Sequence, residues 1–258
     1  MLAKEIIKVV EDFAPLVNQE KWDNSGLCIG SELEEVSSVL LGFDCTEELV
    51  DEAIKRGANL IITHHPLIFS GLKKIHPDDV VGAAVIKAIK AGILIYAAHT
   101  TADKVIEGVS GAMARNLGLN NIEILDPEIS GYGLGVVGDL SEPMEVDDFC
   151  SLVKNKFNLT YIKSSRKIEK PISRVAMCGG SGASLIEKAY NSGAQVYISG
   201  DISYHNFFTK KDFMLMDIGH YESEIEIVDI LFSLLQKNFP TFAVYKTDNI
   251  YSNPIFYF

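Results

Sequence analysis

Residues 36–63 read VSSVLLGFDCTEELVDEAIKRGANLIIT, and residues 172–199 read ISRVAMCGGSGASLIEKAYNSGAQVYIS, a gapless match at an offset of 136. Identities fall at Ser37/Ser173, Val39/Val175, Leu49/Leu185, Ala53/Ala189, Gly57/Gly193, Ala58/Ala194 and Ile62/Ile198. Apolar character coincides where identity is lost, as at Leu60/Val196. Self-similarity at a fixed offset signals a repeated structural unit. Each copy reads as strand, turn, helix, strand. The apolar run 39–43 predicts a strand, and Asp44 with Glu47 three residues on has the spacing of a capping box. Gly57 is placed to end the helix in a left-handed conformation, with Gly193 in the same place in the second copy. The run 60–63 is then a second strand, parallel to the first if the crossover has the usual right hand.

Both copies continue to a further apolar strand, over 93–98 and 213–218, and both strands end in His-x-x-x-acid. These are His99-Thr-Thr-Ala-Asp103 and His220-Tyr-Glu-Ser-Glu224. Helical periodicity follows over about 104–117 and 224–237. The expected fold is α/β: two similar α/β domains from an internal duplication. The domains are 1–125 and 126–258, with residues 126–170, glycine-rich over 131–138, as the join and the entry into the second. The C-terminal segment is free to pack back on the first domain.

The histidines locate the chemistry. His64 and His65 follow one predicted strand, His99 a second and His220 a third. In open α/β sheets ligands bind beyond the carboxyl ends of strands. Imidazole and carboxylate suit zinc and first-row transition metals. Cys28, Cys45, Cys150 and Cys178 form no CxxC pair, which argues against a closed thiolate zinc site and fits a reducing, cytoplasmic setting. Adjacent residues on an extended chain point to opposite sides, so His64 and His65 are expected to serve two ions rather than chelate one. Two-metal hydrolytic sites space their ions by about 3.5–4 Å. The candidate ligands are His64, His65, Asp103, His220 and Glu224. His99 and His205 are candidates for acid–base work, and His76 reads as an ordinary surface residue.

Other chemistries have weaker support. The run GGSGAS at 179–184 lacks the lysine of a P-loop and the third glycine of a dinucleotide fingerprint, so it reads as a tight turn. No serine sits in a G-x-S-x-G context. With 23 Lys+Arg against 35 Asp+Glu the net charge is −12, which disfavours a nucleic-acid or anionic-membrane binder. No apolar run approaches the length of a membrane span. An anionic substrate therefore needs a cation from elsewhere, and two divalent ions at the strand ends would supply four positive charges.

Four segments together carry a family signature: WDNSGLCIG at 22–30, ITHHPLIF at 62–69, HTTAD at 99–103 and DIGHYESE at 217–224. They resemble the motifs of the NIF-three-like dinuclear metal-centre family, whose members are often called GTP cyclohydrolase I type 2 homologs. The likeness extends from Trp22 to the Asn253-Pro-Ile tail. It implies the same five metal ligands, a dinuclear metal site of two divalent ions (zinc, iron, manganese or nickel) in the cleft between the two domains, and a ring-shaped homohexamer. It also implies a metal-dependent hydrolase acting on a small molecule, with a nucleotide such as GTP as the candidate substrate. A phosphoesterase or nucleotide hydrolase, and a non-catalytic metal-binding scaffold or metal-handling protein, stand as alternatives. Relatives commonly carry Asn-Leu where this chain has Thr101-Ala102, a change expected in the cavity wall. Longer relatives insert a domain for which 258 residues leave no room.

Overall fold

A computed structural model describes residues 1–129, 131–248 and 253–256. Its strands are β1 (Gly26–Ile29), β2 (Val39–Gly42), β3 (Leu60–Thr63), β4 (Leu94–Ala97), β5 (Asn120–Ile129), β6 (Tyr132–Met144), β7 (Lys163–Ser164), β8 (Ile172–Ser181), β9 (Val196–Gly200), β10 (Met214–Asp217) and β11 (Val244–Lys246). They form two sheets, ordered β1-β4-β3-β2-β11 and β5-β6-β8-β9-β10-β7. The chain divides into two compact units, Met1–Ala102 with Ile227–Phe258, and Asp103–Glu226. A boundary near residue 125 would cut through β5, which is paired along its length with β6. The glycine-rich stretch expected to be a join is therefore part of an antiparallel hairpin. Gly133 is obligatory there, because a Cβ would meet the Asp126 carbonyl at 2.2 Å.

In the first unit β2, β3 and β4 run parallel to one another, and β11 adds to β2 in parallel. Every residue of β2, β3 and β4 is buried. That is the pattern of parallel strands covered on both faces, and it explains why they read as unbroken apolar runs. Leu40, Ile61 and Ile95 pack against Val50 and Ala53 of the helix Glu47–Arg56 and Val85 of the helix Val80–Ala91. The helices Ala3–Phe13 and Ile227–Asn238 pack on each other. The helix Glu47–Arg56 ends at Gly57 with φ of 69°, as its sequence predicts. Its start differs: Thr46 is the cap, its hydroxyl accepting from the Leu49 amide, and the Asp44 carboxylate is used elsewhere.

In the second unit β8, β9 and β10 are again parallel neighbours. Successive side chains alternate between two cores, as strand geometry requires. Val175, Met177, Ile198 and Met216 pack with Met113, Leu117, Phe149 and Val153 on one face. Ala176, Cys178, Tyr197 and Leu215 pack with Leu185 and Ala189 on the other. The helices predicted from 104 and 224 each begin earlier and in two pieces. Thr100–Asp103 precedes Val109–Leu117, and His220–Glu224 precedes Ile227–Asn238. The short first pieces carry Asp103, and His220 with Glu224, directly off the strand ends. Among the described residues, no helix is long and apolar enough to cross a membrane.

Candidate metal centre

In the first unit the chain leaves β3 at Thr63 and turns at once. The amides of His64 and His65 both donate to the Phe43 carbonyl, at 3.2 and 3.1 Å. This turn corrects the expectation that the two imidazoles point apart. Their ring centroids are 4.9 Å apart, and both rings pack on Phe43. His99, at the end of β4, brings its ring to 5.4 Å from His64 and 5.3 Å from His65. Each of the three offers a ligand atom within 4.8 Å of the others.

Each ring is fixed through its Nδ1. His64 is fully buried, and its Nδ1 donates to the Ala98 carbonyl at 2.9 Å. His65 Nδ1 bonds Asp44 Oδ1 at 2.8 Å, and His99 Nδ1 bonds Asp23 Oδ1 at 2.7 Å. A neutral imidazole whose Nδ1 proton is given to a carbonyl or carboxylate keeps its lone pair on Nε2. Metal-binding histidines are oriented by outer partners of this kind. Asp23 also accepts from the Ser25 hydroxyl at 2.7 Å and from the Thr100 amide and hydroxyl. Burial alone would raise the pKa of Asp23. The bonds from His99, Thr100 and Ser25 prevail and hold it well below the usual carboxylate range.

In the second unit the turn after β10 is held by Asp217, almost fully buried. Its carboxylate accepts from the Ile202 amide at 3.2 Å, the Gly219 amide at 3.0 Å and Lys163 Nζ at 2.6 Å. The single carboxylate thereby ties together the loop carrying Asp201 and the one carrying His220. His220 Nδ1 bonds Asp201 Oδ2 at 2.8 Å, and its Nε2 lies 3.0 Å from Glu224 Oε2 across one helical turn. Asp103 and Glu224 offer ligand oxygens within 4.8 Å of each other. Glu224 is only 4% exposed, and it reaches its place because residue 180 is glycine. A Cβ on Gly180 would sit 2.1 Å from Glu224 Oε1. The GGSG run is thus the end of β8, shaped to let a carboxylate against its backbone. Cys178, beside it, is buried, and its thiol is pushed up to about 12, first by burial and then by Asp103 and Glu224. It is an inert thiol rather than a nucleophile.

His205 lies exposed on a short turn of helix against Tyr204 and belongs to none of these donor groups. Thr101 and Ala102 are fully buried. The orienting carboxylates Asp23, Asp44 and Asp201 were not among the candidate site residues of the sequence, where Asp44 read as a helix cap. The one signal was Asp23 within the WDNSG segment. Asp44→Ala and Asp201→Ala are each expected to weaken metal binding about 10–100-fold while removing no ligand. Competition against a chromogenic chelator measures this directly.

The fold and these clusters define an α/β protein with oriented histidines and carboxylates able to bind a metal ion. The family model for Duf34/NIF3 (NGG1p interacting factor 3) matches residues 1–253, and the chain belongs to that family. A Clostridium acetobutylicum relative called GTP cyclohydrolase 1 type 2 homolog is 33% identical over 238 residues, covering 90% of this chain and 89% of its own. One of the same name from Clostridium perfringens is 36% identical over 228 residues, covering 87% of each chain. The crystal structure of a Staphylococcus aureus protein superposes with a TM-score of 0.92 at 30% identity, covering 100% of this chain and 99% of that one.

Proposed function

We propose that the chain is a metal-dependent hydrolase holding two divalent ions through His64, His65, Asp103, His220 and Glu224. The observation that supports this most is the uniform anchoring of His64, His65, His99 and His220 through Nδ1, which prepares three Nε2 atoms as ligands and that of His99 for acid–base work. Two groups of donors favour two ions: His64 and His65 gather with His99 beside them, and Glu224 lies within reach of both Asp103 and His220. His99 immediately precedes the helical turn that ends in Asp103, so the two sets adjoin along the chain. The units are read as an internal duplication, since each has three adjacent parallel strands and a helix stopped by a positive-φ glycine, Gly57 or Gly193.

The ions would polarise a substrate oxygen and lower the pKa of water toward neutrality. The chain's own residues do the rest. Asp23 sets the tautomer of His99, and so whether His99 Nε2 gives or takes a proton at the substrate. Asp44 and Asp201 keep their imidazoles from turning. The names borne by the relatives make a nucleotide such as GTP the first substrate to try.

Metal analysis of the purified protein, followed by product assays over a panel of nucleotides and phosphoesters, tests the reading. Bound divalent metal and a hydrolysis product are expected from the wild type. His64→Ala and Glu224→Ala should lose both. Turnover that survives both substitutions would sink the proposal. Firm metal binding with no product from any substrate would instead assign the chain to metal handling.

A further inference from the structure

Trp22 and Phe69 are large aromatic residues left 58% and 51% exposed. Their ring centroids lie 5.8 Å apart, and each presents itself edge-to-face to His99, at 6.0 and 6.1 Å. Isolated exposed apolar side chains are ordinary, but an aromatic pair standing against a ligand-competent histidine is a feature of binding sites. The pair is also held in place. Asn24 Nδ2 donates to the Ile68 carbonyl at 2.6 Å, which pins the loop of Trp22 to that of Phe69. Trp22 is next to Asp23, whose buried carboxylate is bonded to His99. Leu67, two residues before Phe69, is buried in the core. A shelf fixed in this way pays little ordering entropy when a ligand lands on it.

We propose that Trp22 and Phe69 form a stacking shelf for a planar heteroaromatic base, that of a nucleoside or nucleotide, at the edge of the metal centre. This deepens the hydrolase reading and rests on it for the reason a base should be held beside His99. Flat π faces recognise a flat ring whatever its charge, so the shelf reads the base and not the phosphates. An aliphatic chain or an inorganic phosphate offers no flat face to stack on the pair.

Trp22 is the only tryptophan in the chain, so its emission reports on this shelf alone. Guanosine and adenosine are titrated into the full-length protein, excited at the red edge of tryptophan absorption to avoid absorbance by the base. Saturable quenching is expected from both, and none from ribose 5-phosphate or inorganic phosphate. Phe69→Ala should weaken the binding roughly 5- to 100-fold, Phe69→Leu should weaken it similarly, and Phe69→Tyr should restore it. No saturable change with either nucleoside would overturn the shelf. So would equal affinity in Phe69→Ala, or the same saturable change with ribose 5-phosphate. Metal content measured on the same samples separates the two proposals: nucleoside binding without metal removes the hydrolase and leaves the shelf. Metal and turnover without quenching do the reverse.

Discussion

Gly180→Ala is expected to strip most of the metal affinity from the protein although it alters no ligand. Gly180 has φ of 57°, which for an alanine is disfavoured by about 1–2 kcal/mol. The new methyl would lie 2.1 Å from Glu224 Oε1, 2.9 Å from its Cδ and 3.3 Å from His220 Cε1. Glu224 has little room to yield, being 4% exposed at the end of the short helix His220–Glu224. The neighbouring Ser223 hydroxyl accepts from the Gly180 amide at 2.9 Å and donates to the His220 carbonyl at 2.7 Å, so a shift of the strand end is passed to both ligands. Adding about 1–3 kcal/mol for overpacking, the total loss of stability should be about 2–5 kcal/mol. Urea unfolding reads the stability, and metal stoichiometry reads the site. A Gly180→Ala protein as stable as the wild type and fully metal-loaded would show that Glu224 is not held where its contacts place it.

The strands were legible because parallel strands buried on both faces leave continuous apolar runs. β3 occupies the four residues expected of it, and Gly57 and Gly193 mark helix stops through a conformation that favours glycine. The donor groups were legible for a related reason: strand ends in an α/β unit gather side chains on one edge, and the histidines sit at those ends. What stayed hidden was set by long-range packing. Asp23 meets His99 across 76 residues, and Asp201 meets His220 across 19, pairings that no local spacing announces. Asp44 misled because an acid three residues before a glutamate looks like a cap, while its carboxylate in fact orients His65 and Thr46 caps the helix. The glycine run 179–182 suggested a tight turn, since nothing local reveals that Glu224, 44 residues beyond Gly180, will need the space. The two histidines diverged on paper only because the turn made by their amides on Phe43 was not foreseen.

Asp23→Ala should have the largest effect on stability among the residues around the donor groups, and Asp23→Asn should separate its two roles. The Asp23 side chain is fully buried and serves as acceptor for five donors: the amides of Asn24 and Thr100, the hydroxyls of Ser25 and Thr100, and Nδ1 of His99. Removing it leaves several buried donors without an acceptor, each worth about 1–3 kcal/mol and not fully additive, so a loss of about 3–5 kcal/mol is expected. Asparagine keeps the volume and one acceptor oxygen, so the loop should hold with a loss of only about 1–2 kcal/mol. Its amide nitrogen, however, cannot take the Nδ1 proton of His99. The imidazole is then driven to the other tautomer, with the proton on Nε2, where it can neither ligate nor accept a proton. Turnover in Asp23→Asn should accordingly fall about 10²–10⁴-fold while the unfolding midpoint moves little, whereas Asp23→Ala should lose both. Urea melts and product assays on the same preparations measure the two together. Wild-type turnover in Asp23→Asn would reduce Asp23 to a staple for the Trp22 loop and remove His99 from the acid–base role, leaving the five ligands to hold the ions.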